Sequence, residues 1–117
     1  MTKSDINRRR PTVAPADGQD LYSGLIRIHI LYHACEEGPV FGLGMMNELS
    51  RHGYRLSAGT LYPLLHGLEK KGLLRSQKVR AGRWFRREYS ATAAGRRALK
   101  TAKQRVSELF GEIFEVR

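Results

Sequence analysis

Apolar residues recur along this chain at spacings that predict three helices, a pair of extended runs and a long closing helix. Leu21, Leu25, Ile28, Tyr32 and Cys35 form one stripe, and Ile26, Ile30, Leu31 and Ala34 broaden it, so a helix is predicted from an N-cap at Asp20 to about Glu36. A helix apolar on so many sides has to be covered from more than one direction. Gly38-Pro39 breaks the chain, and a second helix is predicted over Phe41 to His52, with Met45, Met46 and Leu49 inward and Gly53 ending it. In a third helix Leu61, Leu64, Leu65 and Leu68 fall at i, i+3, i+4 and i+7, leaving Ser57, Thr60, Tyr62, His66 and Lys70 outward. Ser57 suits its cap, whereas Pro63 six residues on predicts either an irregular first turn or a start nearer Thr60.

Gly72 closes that helix behind Lys70 and Lys71, which complement its macrodipole. Leu73 to Val79 and Trp84 to Ser90 have strand character and flank Arg80-Ala81-Gly82-Arg83, where the glycine permits a tight reversal. Trp84 is expected to pack under this hairpin, and Phe85 and Tyr89 to close the core from one side. From Thr92 to Arg117, Leu99, Ala102, Val106, Leu109 and Ile113 step by three and four alternately, a heptad seam that Phe110 and Phe114 widen. Such a helix runs about 39 Å, longer than the small body before it can cover. Its seam is therefore expected to meet a second copy of the chain rather than its own domain.

With 117 residues, 41% of them hydrophobic, the chain supports one small core and leaves no room for a separate catalytic domain. A net charge of +10 draws polyanions, so DNA, RNA and acidic membrane are the candidate partners. Arg27 and His29 interrupt the longest apolar run, which excludes a membrane-spanning helix. The lone Cys35 forms no intrachain disulfide, and Arg8-Arg9-Arg10 leads into a polar, proline-containing stretch unlike a signal peptide, so a cytoplasmic, nucleoid-associated protein is expected. The division expected is a disordered basic arm over 1–18, a DNA-binding body over 19–91 and a dimerisation helix over 92–117.

Between Lys70 and Arg87 the chain carries eight basic residues and no acidic one. Charge runs are often no more than a solvated face. A helix with a defined outward side followed directly by a basic hairpin is, however, the winged-helix signature, and it turns the reading toward nucleic acid. Ser57, Ala58, Thr60 and Tyr62, at the N-terminal end of that helix, are the candidate base readers, with His66 and Lys70 along the same outward side. Lys78, Arg80, Arg83 and Arg86 are the candidate hairpin contacts, Arg83 and Arg86 foremost for phosphate or minor groove.

Gly59-Thr60-Leu61-Tyr62-Pro63-Leu64-Leu65, then Leu68-Glu69, Gly72-Leu73-Leu74, Arg86-Arg87-Glu88-Tyr89 and Thr92-Ala93-Ala94-Gly95-Arg96 resemble, in that order, the PadR family of bacterial transcriptional regulators. The likeness covers about Leu21 to Leu99. Phe41-Gly42-Leu43 sits where the family commonly has an aromatic-Gly-aromatic triplet; Leu43 and Gly44 depart from it. The resemblance implies a mainly α fold with a small β-hairpin: a winged helix-turn-helix with one long C-terminal dimerisation helix, the short form of the family, binding an inverted-repeat operator in double-stranded DNA as a homodimer. It further implies that the first helix's second face meets the partner's last helix, so the expected dimer contacts are Leu25, Ile28, Tyr32, Leu99, Ala102, Val106, Leu109, Phe110 and Ile113. Relatives often repress, and some release DNA on binding a small aromatic effector. This chain lacks both the extra helical domain of phenolic-acid-responsive members and the tryptophan that certain multidrug-binding relatives carry on the last helix. Space near Tyr32, Val106 and Phe110 is left as the candidate effector pocket.

No nucleophile, base and orienting group recur in a catalytic pattern, no phosphate-cradling glycine loop is present, and no enzyme or cofactor is expected. His29 and His33 stand four apart, a spacing at which two imidazoles share a metal, with Cys35, Glu36, Glu37 and His52 as further donors; nothing in the sequence fixes a third ligand, so no metal site is assigned. Cys35 on an apolar helix reads as an inert thiol. Two other functions fit the charge or the last helix: an RNA- or ribosome-associated binding protein, and a protein-interaction adaptor that binds no nucleic acid.

Overall fold

In the computed structural model, which describes residues 17–115, the elements run α1 (Asp17–Glu36), β1 (Val40–Phe41), α2 (Gly42–Arg51), α3 (Ala58–Lys70), β2 (Leu74–Ala81), β3 (Trp84–Ala91) and α4 (Ala93–Phe114). The three strands form one antiparallel sheet in the order β1-β3-β2. The expected basic arm lies outside the described residues except for Asp17 and Gly18, which open α1. That earlier start puts Asp20 inside the first turn, not at the cap.

The core gathers Ile26, Ile30, Leu31 and Ala34 from α1, Met45 and Leu49 from α2, Leu61, Leu65 and Leu68 from α3, Val40, Leu74, Tyr89 and Ala91 from the sheet, and Leu99 from α4. On α1, the residues that merely broadened the predicted stripe are the buried ones, and β3, α2 and α3 all pack against this helix. Leu21, Leu25 and Tyr32 of the stripe itself stay exposed.

Both α2 and α3 end in the same way. Leu73 N–H donates to Leu68 O at 2.9 Å and Gly72 N–H to Glu69 O at 2.8 Å, with Gly72 at φ +80°; Tyr54 and Gly53 repeat the pattern on Leu49 and Ser50. The start of α3 is regular, correcting the irregular or delayed start expected from Pro63: the Ser57 carbonyl accepts from Thr60 N at 3.0 Å and Leu61 N at 2.9 Å. Pro63 sits inside the helix and cannot bond the Gly59 carbonyl, but Gly59 and Pro63 are both exposed, so the missing bond is not buried.

The strands are longer than predicted. Pairing continues to Ala81↔Trp84, so only Gly82 and Arg83 form the loop, a two-residue turn with Gly82 at φ +65°. Because the hairpin projects past the body, its outer rungs have no core to cover. Trp84 is 73% exposed and Phe85 58%, against the expectation that both pack inward; only Tyr89 is buried. Strand β1 was not foreseen, since two residues are too short to show a period.

The start of α4 is clamped to the end of α3. Thr92 Oγ1 accepts from Gly95 N at 3.0 Å and donates to Gly72 O at 2.5 Å, while Thr92 N–H donates to Leu73 O at 3.1 Å. A Cβ on Gly95 would stand 2.1 Å from the Leu73 carbonyl oxygen, so the approach requires glycine. Leu99, expected at the dimer seam, is instead buried in its own subunit. Ala102 is half-buried, and beyond it Val106, Leu109, Phe110, Ile113 and Phe114 are exposed.

Candidate nucleic-acid interface

Helix α3 turns one side to solvent. Ser57, Ala58 and Gly59 are exposed at its tip, Thr60 is half-buried beside them, and His66 and Lys70 are exposed further along. The Ser57 hydroxyl lies 3.4 Å from Thr60 Oγ1 and makes no cap bond to the backbone. Tyr62, read from the sequence as outward, is half-buried and packs against the core, its ring occupying the space over Gly42 where a Cβ would be 2.0 Å from the phenol oxygen. It braces α3 on α2 through the absence of a side chain at Gly42.

Register decides what the hairpin presents. Leu74, Ser76, Lys78 and Arg80 pair with Ala91, Tyr89, Arg87 and Phe85, so these residues share one sheet face. Near the body that face is core. Ser76 then ties it to α3: its N–H donates to Glu69 Oε2 at 3.2 Å and its hydroxyl to the same carboxylate at 2.9 Å, while Arg87 Nη1 donates to Ser76 Oγ at 3.1 Å. Further out, Lys78 Nζ and the Arg80 guanidinium lie 5.7 and 5.6 Å from the centre of the Phe85 ring. Lys78, Arg80 and Arg87 thus stand on the α3 side of the sheet, with Arg83 exposed at the tip.

Arg86 lies on the other face. Its Nη2 pairs with Glu88 Oε2 at 3.0 Å, and its guanidinium stacks 3.8 Å above the Phe41 ring. Among the described residues Lys78, Arg80, Arg83 and Arg87 make no such ion pair. Sequence spacing favours Arg83 and Arg86 and passes over Arg87; counting alternation outward from buried Tyr89 is the signal that separates Arg86 from Arg87. Burial, then the Glu69 carboxylate, pushes the Tyr89 phenol above its ordinary pKa at the root of this face.

Between α1 and α4 lies an open cavity of about 690 Å³ whose walls include Leu25, Ile28, Tyr32, Leu99, Val106 and Phe110. Five of these six are expected dimer contacts that keep at least some exposure, and the distal apolar face of α4 continues from its rim.

A helix held proud of the body beside a cationic two-stranded wing defines a winged helix-turn-helix regulator. The chain belongs to the PadR-like family of transcriptional regulators, whose family model matches residues 30–101. It is 53% identical over 89 residues to Transcriptional regulator Rv3488 of Mycobacterium tuberculosis, covering 75% of this chain and 81% of that one. Among solved structures it is similar to a PadR family transcriptional regulator from Eggerthella lenta, with 30% identity, a TM-score of 0.68 and coverage of 84% of this chain and 88% of that one. A PadR-like regulator from Bacillus cereus shares the fold at a TM-score of 0.74 and 24% identity, over 83% of this chain and 95% of that one. Membership makes transcriptional regulation through DNA the function of this chain. Among the described residues no helix is long and apolar enough to cross a membrane.

Proposed function

We propose that two copies of the chain join through the distal half of α4 and the outward stripe of α1, and that the dimer represses transcription by occupying an inverted-repeat operator. The N-terminal turns of the two α3 helices enter successive major grooves about 34 Å apart, with Ser57, Ala58 and Thr60 toward base edges. Lys78, Arg80, Arg83 and Arg87 take the phosphates, along with His66 and Lys70 on the flank of α3. The observation that supports this reading best is that Lys78, Arg80 and Arg87 share a sheet face with Ser76, the residue that binds α3, so helix and wing can meet one surface together.

Dimerisation is supported by Val106, Leu109, Phe110, Ile113 and Phe114, an apolar row at 40 to 62% exposure that a lone subunit would leave in water. The partner's α4 lies along the α1–α4 groove, and the part of the 690 Å³ it leaves open is the space for a small aromatic effector. Selection of bound duplexes from a random library tests the reading: the winners should share an inverted repeat, and single- or double-stranded RNA should compete poorly. Selection of no common sequence, or efficient competition by RNA, would favour a general polyanion-binding protein.

A further inference from the structure

Three of the four histidines of this chain converge on one point. His29 and His33 lie one turn apart on α1. The fold brings His52, just past the end of α2, against them, so that one ring nitrogen from each lies within 4.8 Å of the others. Glu48, one turn before His52, stands beside two of them: its Oε2 is 3.4 Å from His33 Nε2 and 3.4 Å from His52 Nε2. The His29 and His52 rings stack with centroids 4.7 Å apart.

Several features are those of a site and not of a chance meeting of surface imidazoles. His33 is 6% exposed, and its Nδ1 is fixed by Glu37 Oε2 at 2.8 Å, which aims Nε2 at the cluster. A carboxylate on the far nitrogen of a ligating histidine sets the tautomer and raises the basicity of the donor. Donors 3.4 Å apart are separated by about the edge of a tetrahedron with bonds of about 2.05 Å, the zinc–nitrogen length.

From this geometry we infer that His29, His33, His52 and Glu48 bind one divalent metal ion of the borderline, zinc-like class per chain. Three imidazoles and one carboxylate suit Zn²⁺ or Co²⁺ and are too nitrogen-rich for Mg²⁺ or Ca²⁺. Cys35 is not a member of the cluster. The bound ion cross-links α1 to the end of α2, the helix on which α3 is braced, and it does so at the wall of the α1–α4 cavity, which His29, His33, Glu48 and His52 help to line. The inference stands whether or not the operator reading holds, since metal binding is measured without DNA.

The test uses the full chain without a polyhistidine tag, stripped with chelator and titrated with Co²⁺. One equivalent should saturate an intense visible spectrum of four-coordinate cobalt, and one equivalent of Zn²⁺ should bleach it. His52→Ala, at an exposed position, should fold as the parent does by circular dichroism and weaken binding by about 100-fold or more; Glu37→Gln should weaken it about 10-fold by releasing His33. His66→Ala, removing the one histidine outside the cluster, should change nothing. Weak, octahedral or multi-site cobalt binding, or a folded His52→Ala variant that binds within about threefold of the parent, overturns the assignment.

Discussion

Replacing Lys78, Arg80 and Arg87 together by alanine removes the cations on the α3 side of the wing and leaves Arg86, on the other face, in place. Each phosphate neutralised on duplex DNA contributes about 0.9 to the slope of log affinity against log salt. Three contacts on each of two wings therefore account for a slope of about 5. Over a rise from about 50 to 200 mM salt, that slope is a loss of about 10³ in affinity that the parent suffers and the triple variant does not. Arg86→Ala is the matched control, because its guanidinium is already held by Glu88 at 3.0 Å and by the Phe41 ring, and its slope should stay within about 1 of the parent's. Fluorescence anisotropy of a labelled operator duplex across a series of KCl concentrations reads both slopes. A triple variant with the parent's slope, or an Arg86→Ala slope reduced more than the triple variant's, would show that the wing meets DNA by its other face or not at all.

Gly95→Ala puts a Cβ 2.1 Å from the Leu73 carbonyl, and since backbone lies on both sides of the clash it should cost about 1–3 kcal/mol in chemical denaturation. Leu109→Asp combined with Ile113→Asp alters residues 52% and 61% exposed within one subunit, so each chain should keep its helical circular dichroism while light scattering reports a mass near 13.3 kDa instead of twice that. Glu69→Ala strips Ser76 of the acceptor for its N–H and its hydroxyl; it should cost about 1–3 kcal/mol and raise amide exchange along β2 more than along α2.

Much of this architecture was readable because period and punctuation agreed. The leucine spacing of α3, Gly72 at its end and the step of three and four along α4 located those elements to within about three residues. What the sequence left open was contact at a distance. Alternation assigned Phe85 to the core with Tyr89, but only the projection of the hairpin beyond the body shows why the outer rung stays wet. Tyr62 read as outward by helical spacing; its place is set by Gly42 on another helix, a partner no local pattern reveals. Leu99 begins the heptad seam in sequence and yet is buried where α4 packs on α1, whereas the seam beyond Ala102 stays exposed. His29 and His33 stand together by helical spacing, but of the further donors the sequence offers, only packing shows that His52, just past the end of α2, is the one that joins them.

The central claim is that two chains, joined through α4, address DNA together. The mass of the complex formed with a selected inverted-repeat duplex, measured by light scattering, tests it most directly. Two chains of 13.3 kDa should bind per duplex, and inserting about five base pairs between the half-sites, which turns them to opposite faces of the helix, should abolish that complex. One chain per duplex, or a two-chain complex indifferent to the insertion, would contradict the account.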